Sequence, residues 1–486
     1  MSPPLNILWL TCDEMKSSAL PVYGNPFTSM PAVERLAREG VVFENAFCQI
    51  PKCVPSRCSM LTGRYPHVDG FRTLRGRTSP PPFDETDIND MVALYENTPN
   101  LIPLVREAGY RTCLLGKNHI VEWNLHRKWF DQTPSWDFER VPKLESREDM
   151  RRASYEGPVP RDFSLERHFD FVTASEAIDF IRTSNGRPFF GLVDMSLPHP
   201  SYHEFPTMPA GGIPLEDIPE APVARLEDAP FVERCLRESK DLEHLSVDDR
   251  RRIIRAYYSM CEFADLQVGR ILNALDEEGL AENTLVILTS DHGDFAAEHG
   301  CYEKWDTSFY DCITHVPLIL RLPGRFPVGR RVRSMVELVD LMPTLCELTG
   351  IPVPGYVQGK SLLPVAVGTT DEHREFAFCE GGVEPELAYR AAPAGTSGAD
   401  PAKQQVLERF PEALFRAKMI RTERFKYIYR ITGGCEFYDL QADPHELVNR
   451  IDDPLMAEEI RRMKDRLLRH LVESESKMPE IGMCFA

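Results

Sequence analysis

The 486-residue chain has no apolar run of membrane-spanning length and no internal repeat. Its first four residues carry no basic segment, and the apolar stretch at 6–10 is too short for the core of a secretory signal. These absences exclude a membrane-spanning protein and an array of repeats. We therefore expect a cytoplasmic protein with no membrane partner.

Paired cysteines are also missing. The thirteen cysteines are an odd number scattered along the chain, and no two of them form a Cys-x-x-Cys pair. This distribution excludes a disulfide framework and a zinc ribbon. Most of the cysteines should be reduced and buried.

Positive charge is scarce: 56 Lys and Arg face 75 Asp and Glu, which gives a formal net charge of -19. Such a chain repels polyanions at long range, so we expect no nucleic-acid partner. An anionic substrate would need a locally basic pocket. The 42% hydrophobic and 27% charged residues are typical of a globular protein.

Strand-like apolar runs alternate with helical patterns along the chain. The run 5–11 ends at Asp13-Glu14, and the run 284–289 ends at Asp291-His292. Alternation of this kind predicts an α/β fold with a large, mostly parallel sheet sandwiched by helices. In such folds function gathers at the carboxyl ends of the strands, where these polar pairs fall.

A second region is predicted after the first. We expect residues 1–368 to form the catalytic α/β domain and 369–486 a smaller α+β subdomain, with antiparallel strands near 415–430 and a closing amphipathic helix. The segment 382–405 is rich in Pro, Ala and Gly and is interpreted as a long surface loop.

The most specific motif is Cys53-Val-Pro-Ser-Arg57, followed by Leu-Thr-Gly-Arg at 61–64. It resembles the signature of the sulfatase family, in the alkaline phosphatase superfamily, whose relatives include phosphonate monoester hydrolases. The resemblance implies that a maturation enzyme oxidises Cys53 to formylglycine. The alternatives are a buried Cys53 thiol or a pair with Cys48 or Cys58.

Formylglycine suits ester hydrolysis. One hydroxyl of the hydrated aldehyde attacks and the second expels the product, whereas a cysteine thiol would form an ester with no easy route to release. A divalent metal and nearby cations favour the alkoxide. The resemblance implies that Arg57 holds the group formed from Cys53.

The resemblance also implies a metal site built from Asp13, Glu14, Asp291, His292 and the modified Cys53. The family has Asp at the first of these positions and commonly Asp or Gln at the second, so Glu14 departs from its pattern. Because oxygen ligands dominate, Ca²⁺ is the favoured ion. The nitrogen of His292 would also suit Mn²⁺.

Three further segments resemble family elements. They are Gly-Lys-Asn-His119, Pro-His199-Pro and the segment ending at Lys304. By resemblance, Lys117 and Lys304 clamp the sulfate oxygens. His199 protonates the leaving alcohol, and His119 removes a proton from the hydrate.

The expected function is hydrolysis of a sulfate ester on a small anionic substrate, either a sulfated carbohydrate or an aryl ester. A sugar is suggested by Trp123, His126, Arg127 and Trp129 in a predicted rim loop. One alternative is a phosphonate monoester or phosphodiester hydrolase with the same site. Another is a catalytically silent binding protein in which Cys53 stays a thiol.

Overall fold

The computed structural model describes residues 5–70, 94, 96–121, 125–134, 154–160, 162–391 and 401–475. Within these residues no helix is both long and apolar enough to cross a membrane. Trp123 and most of the predicted rim loop lie outside the described residues, whereas His126, Arg127 and Trp129 lie within them.

The strands of the described residues alternate with helices through the first two thirds of the chain. They are β1 (Asn6–Cys12), β2 (Val41–Phe47), β3 (Arg111–Gly116), β4 (Tyr155–Pro158), β5 (Phe189–Met195), β6 (Tyr202–Glu204), β7 (Thr284–Ser290), β8 (His315–Val316), β9 (Leu318–Arg321), β10 (Arg330–Glu337), β11 (Ala377–Gly381), β12 (Ala417–Arg421), β13 (Phe425–Arg430) and β14 (Glu436–Asp439).

The α-helices vary from single turns to one of 31 residues. They are α1 (Pro31–Glu39), α2 (Cys53–Thr62), α3 (Pro66–Asp69), α4 (Leu101–Glu107), α5 (His126–Trp129), α6 (Phe169–Arg182), α7 (Phe231–Ser239), α8 (Val247–Glu277), α9 (Asp311–Thr314), α10 (Leu341–Thr349), α11 (Leu363–Val367), α12 (Pro385–Ala391), α13 (Pro401–Arg409) and α14 (Ala457–Glu475).

The large sheet has the order β10-β2-β9-β7-β1-β5-β3, with β8 also paired to β2. Its centre is parallel, since β1 lies between β7 and β5 and β5 pairs with β3 in the same direction. Strand β9 runs antiparallel to both of its neighbours. The predicted α/β fold is confirmed as a mixed sheet whose parallel strands end at one edge.

Continuous apolar sequence explains the central strands. Every residue of β1, β5 and β7 is buried, as expected for strands covered by helices on both faces. Helix α8 packs against one face, and a capping box between Ser246 and Asp249 fixes its start.

The C-terminal region contains an antiparallel sheet of order β11-β12-β13-β14, packed against α14. This arrangement confirms the predicted α+β character of the region. The boundary between residues 368 and 369 stays a prediction.

The predicted surface loop at 382–405 is wrong in part, because α12 and α13 occupy much of that range. Each of these helices begins with a proline. Proline is favoured at the first helical position because its fixed φ suits the helix and its missing N–H would be unpaired there. Two of the prolines that suggested a loop, Pro385 and Pro401, therefore mark helix starts.

Candidate active site

The carboxyl ends of β1 and β7 bring two acidic segments together. Cys12 pairs in register with Ser290, so Asp13-Glu14 and Asp291-His292 leave the sheet side by side. The backbone N–H of Glu14 donates to Asp291 Oδ1 at 3.1 Å. Segments 277 residues apart in sequence thus form one site.

Glu14 has a left-handed backbone with φ of 72°. Such a conformation is unfavourable for a residue with a side chain and needs support from its surroundings. Tyr257 of α8 supplies it, because its hydroxyl donates to the Glu14 carbonyl at 2.7 Å. The turn lets consecutive carboxylates, Asp13 and Glu14, both enter the site while fully buried.

Cys53 is the first residue of α2 and is only 5% exposed. Its Sγ lies 3.5 Å from Asp13 Oδ1 and 3.2 Å from His292 Nε2. Cys53 is a free thiol, as are Cys48 and Cys58, so the alternative of a pair with either one is wrong. Burial, reinforced by the Asp13 charge, raises the pKa of Cys53 to about 12, so the thiol is protonated at neutral pH.

Arg57 lies one turn further along α2 and is 1% exposed. Its guanidinium contacts Asp291 Oδ2 at 2.8 Å, Asp13 Oδ2 at 3.0 Å and Asp194 Oδ1 at 3.2 Å. Arg57 therefore joins the carboxylates that end three neighbouring strands. Its predicted contact with the group formed from Cys53 stays a prediction.

Sequence reasoning missed Asp194. It lies near the end of β5, in register with Thr11 of β1, and burial raises its pKa to about 6 although Arg57 opposes the shift. An acidic residue within an otherwise apolar strand was the signal that could have identified it.

Lys117 follows β3, and its Nζ lies 2.8 Å from Asp13 Oδ2. The preceding Gly116 has φ of +84°, and a Cβ there would collide with the Asp194 carbonyl, so the turn requires glycine. Burial raises the pKa of Asp13, but Lys117 and Arg57 outweigh it and hold that pKa well below its usual value. Asp13 is therefore ionised.

Lys304 and His199 meet on the other side of the site. Lys304 Nζ donates to Glu14 Oε2 at 2.7 Å and lies 3.0 Å from His199 Nε2. Burial, with the charges of Lys117 and Lys304, lowers the pKa of His199 well below its usual value. The imidazole is therefore neutral in the free site and accepts a hydrogen bond from Lys304.

His119 is close enough to Lys117 and Asp13 for their charges to act on it. Burial and Lys117 lower its pKa well below the usual value, although Asp13 opposes this. Its Nδ1 is buried with no hydrogen-bond partner among the described residues. The ring is thus a neutral base within the site.

The residues present fit a divalent cation. Ligand atoms of Asp13, Cys53, Asp291 and His292 all lie within 4.8 Å of one another, and Asp13, Glu14 and His199 form a second such group. Glu14 Oε1 is buried without a hydrogen-bond partner among the described residues, and burial raises the pKa of Glu14 to about 8 despite Lys304. A bound cation would give Glu14 Oε1 a partner and would lower the pKa of Glu14.

The buried charges of this site do not balance. We call the following residues the site cluster: the carboxylates Asp13, Glu14, Asp194 and Asp291, and the cations Arg57, Lys117 and Lys304. With all of them ionised, the carboxylates exceed the cations by one. Unpaired buried charge is costly, so the cluster favours a positive partner.

The chain is similar to a known family of proteins. A family model described as Sulfatase matches residues 5–351. Iduronate 2-sulfatase of Mus musculus is 31% identical over 403 residues, which cover 72% of this chain and 69% of that protein. Delta 4,5-hexuronate-2-O-sulfatase of Bacteroides thetaiotaomicron is 27% identical, covering 92% of this chain and 85% of that one.

Solved structures share the fold. Phosphonate monoester hydrolase SpPMH from Silicibacter pomeroyi superposes with a TM-score of 0.75 at 20% identity, covering 98% of this chain and 96% of that chain. The family match spans the segments that carry Asp13, Cys53, Asp291 and Lys304. The chain therefore belongs to the sulfatase family and is a sulfuric ester hydrolase.

Proposed function

We propose that this protein hydrolyses the sulfate ester of a sulfated sugar through a formylglycine formed from Cys53. The observation that carries the proposal is the position of Cys53 Sγ, within 3.5 Å of Asp13 and 3.2 Å of His292. A protonated thiol with its pKa raised to about 12 is a poor nucleophile there. The hydrated aldehyde would instead supply one hydroxyl for attack and another for release of sulfate.

Asp13, Glu14, Asp291 and His292 would hold the divalent metal, together with the modified side chain at position 53. The bound metal would supply a positive charge that favours the alkoxide form of the nucleophile. Oxygen donors favour Ca²⁺, and the His292 nitrogen also suits Mn²⁺. Arg57 keeps the Asp13 and Asp291 carboxylates in place.

Lys117 pairs with Asp13, and Lys304 pairs with Glu14. Between them, their ammonium groups would bind the sulfate oxygens and stabilise the charge that develops on them. Burial and the charges of Lys117 and Lys304 lower the pKa of His199, and a bound anion would offset the part that is due to those charges. We therefore expect His199 to take up a proton as the ester binds and to donate it to the leaving oxygen.

Charge also defines the substrate class. With all of its groups ionised, the site cluster carries one excess negative charge. A divalent cation would keep Glu14 ionised despite its raised pKa and would leave one positive charge, which matches a monoanion. Sulfate esters and phosphonate monoesters are monoanions at neutral pH, whereas phosphate monoesters are close to dianionic. The cluster therefore supports the first two substrates over the third. The phosphonate activity remains the second candidate.

We propose a sulfated hexuronic acid as the natural substrate. The matches to iduronate 2-sulfatase and to the hexuronate-2-O-sulfatase each cover more than two thirds of that relative's length. Both act, by their names, on a sulfated uronic acid.

The test uses protein co-expressed with a formylglycine-generating enzyme. Mass spectrometry of the peptide that contains position 53 should find the aldehyde, and an aryl sulfate should be hydrolysed faster than the matching aryl phosphonate. Cys53→Ala is the matched control. Equal or faster phosphonate turnover would overturn the sulfatase assignment of this site, and an unmodified thiol after co-expression would favour a silent binding protein.

A further inference from the structure

A lysine directly before the nucleophile position is not part of the site cluster. Lys52 precedes Cys53, and its ammonium pairs with the carboxylate of Asp306, two residues after Lys304. The side chains of Lys52 and Asp306 are 15% and 13% exposed, against 10% for Lys117 and 7% for Lys304. Lys52 and Asp306 are thus slightly more exposed to solvent than Lys117 and Lys304.

The backbone under Lys52 is fixed on both sides. Lys52 is the residue before α2, its N–H donates to the Ile50 carbonyl at 2.8 Å, and its carbonyl accepts from the Ser56 N–H at 3.0 Å. The backbone therefore holds the base of the Lys52 side chain at a defined position next to Cys53.

The segment that carries Asp306 is held by the C-terminal region. Trp305 Nε1 and Thr307 Oγ1 both donate to the Ala413 carbonyl, at 2.8 Å and 2.6 Å. Arg430 of β13 also donates to the Thr307 carbonyl, at 2.9 Å. The residues on both sides of Asp306 are thus tied to the C-terminal region, and the Asp306 carboxylate positions the Lys52 ammonium.

The Lys52 ammonium has capacity beyond this ion pair. It carries three N–H donors, and Asp306 is its one hydrogen-bond partner among the described residues. A held lysine with spare donors, one residue from the nucleophile, suits a second anionic group on the same substrate. A hexuronic acid has such a group, since its carboxylate lies on the sugar ring that carries the sulfate.

We propose that Lys52, positioned by Asp306, binds the carboxylate of the sulfated hexuronate and so determines specificity without taking part in sulfate transfer. This inference rests on the proposed function. It makes Lys52 a specificity residue and Asp306 a positioning residue, and it assigns the preference for uronic acids to a pair outside the site cluster.

The test compares two substrates that differ only in the carboxylate: a 2-O-sulfated hexuronic acid glycoside and its carboxyl-reduced counterpart. The wild type should prefer the acid in kcat/KM by roughly tenfold, the size expected of a partly exposed charge pair. Lys52→Gln should lower kcat/KM for the acid by about that factor, chiefly through KM. Its kcat/KM for the reduced substrate should change less than about twofold.

Two further variants make the test specific. Lys52→Arg should keep most of the preference, because it retains the charge. Lys464→Gln removes a lysine charge from the exposed face of α14 and should behave as the wild type. Rates are divided by the formylglycine content of each preparation, measured after digestion with a protease that does not cleave at lysine.

Each outcome has one meaning. Equal wild-type activity on both sulfated substrates would overturn the carboxylate site while leaving the sulfatase function intact. An equal loss on both substrates in Lys52→Gln would also overturn it, since Lys52 would then act on the sulfate or the nucleophile. Hydrolysis of aryl phosphonate with neither sulfated sugar turned over would instead overturn the proposed function.

Discussion

Two largely buried clusters of charge differ in their balance. The site cluster has one more carboxylate than cation, and Glu14 Oε1 has no partner among the described residues. A second cluster, which we call the junction cluster, joins the catalytic region to the C-terminal sheet. Its residues are Asp311, Glu446, Arg421 and Lys426, two carboxylates against two cations.

Ion pairs within the junction cluster match each carboxylate with a cation. Lys426 Nζ lies 2.8 Å from Asp311 Oδ1 and 2.6 Å from Glu446 Oε1, and Arg421 Nη2 lies 2.9 Å from Asp311 Oδ2. Because each charge has its counterion, this cluster has no need of a ligand. The comparison teaches that the balance of buried charge, rather than its amount, separates a binding site from a structural network.

The largest effect is expected at Cys53. Cys53→Ala removes the precursor of the nucleophile, so kcat/KM for an aryl sulfate should fall by at least ~10³-fold. The melting temperature should stay close to that of the wild type, because no charge is left unpaired. Activity within about tenfold of the wild type would contradict the role of position 53.

A substitution in the junction cluster should lower the stability of the protein rather than its catalytic activity. Lys426→Met leaves Asp311 and Glu446 with one cation fewer, and the free energy of unfolding should fall by about 3–5 kcal/mol in urea titrations. Lys464→Met is the control: Lys464 is exposed on α14, its ammonium lies 5.7 Å from the centre of the Tyr427 ring, and the change should be no more than about 1 kcal/mol. Equal midpoints for the two variants would contradict a structural role for the cluster.

A divalent metal should stabilise the folded protein only by binding at the site cluster. Adding Ca²⁺ or Mn²⁺ to chelator-treated protein at about 100 times the dissociation constant should raise the unfolding free energy by ~2.7 kcal/mol, seen as a higher melting temperature. Asp291→Asn should lose this increment, and Lys426→Met should keep it. An unchanged increment in Asp291→Asn would place the metal elsewhere.

The smallest effect concerns acid stability. Burial opposes ionisation of Asp311, but Arg421 and Lys426 outweigh it and lower its folded-state pKa below the unfolded value of ~4. Its stabilisation is therefore complete above that value and is lost as the pH falls toward the folded-state pKa. The stability difference between wild type and Asp311→Asn should shrink by about 1.4 kcal/mol per pH unit below pH ~4 in urea titrations. A constant difference from pH 7 to pH 3 would contradict this coupling.

Much of the fold was predictable because the sequence pattern is local. Fully buried strands such as β1 and β7 are uninterrupted apolar runs, and the polar pairs that follow them mark the sheet edge. The segment 382–405 was misread because proline marks both loops and helix starts, and composition does not separate the two.

The sequence predicts those site residues that lie in a recognisable motif. The segments around Cys53, Lys117, His199 and Lys304 contain recognisable patterns, and the structure brings these side chains to one site. Asp194 has no motif and is identified only by the register of β5 on β1.

The sequence by itself determined the family, the α/β architecture and the residue types available for chemistry, because these follow from short-range patterns in the chain. The tertiary structure alone decided which charges share one buried volume. It placed Arg57 among three carboxylates and Lys52 against Asp306, since such pairings depend on how strands and helices distant in sequence align. Coulomb interactions act through space, so the excess charge that defines the site exists only in the folded chain.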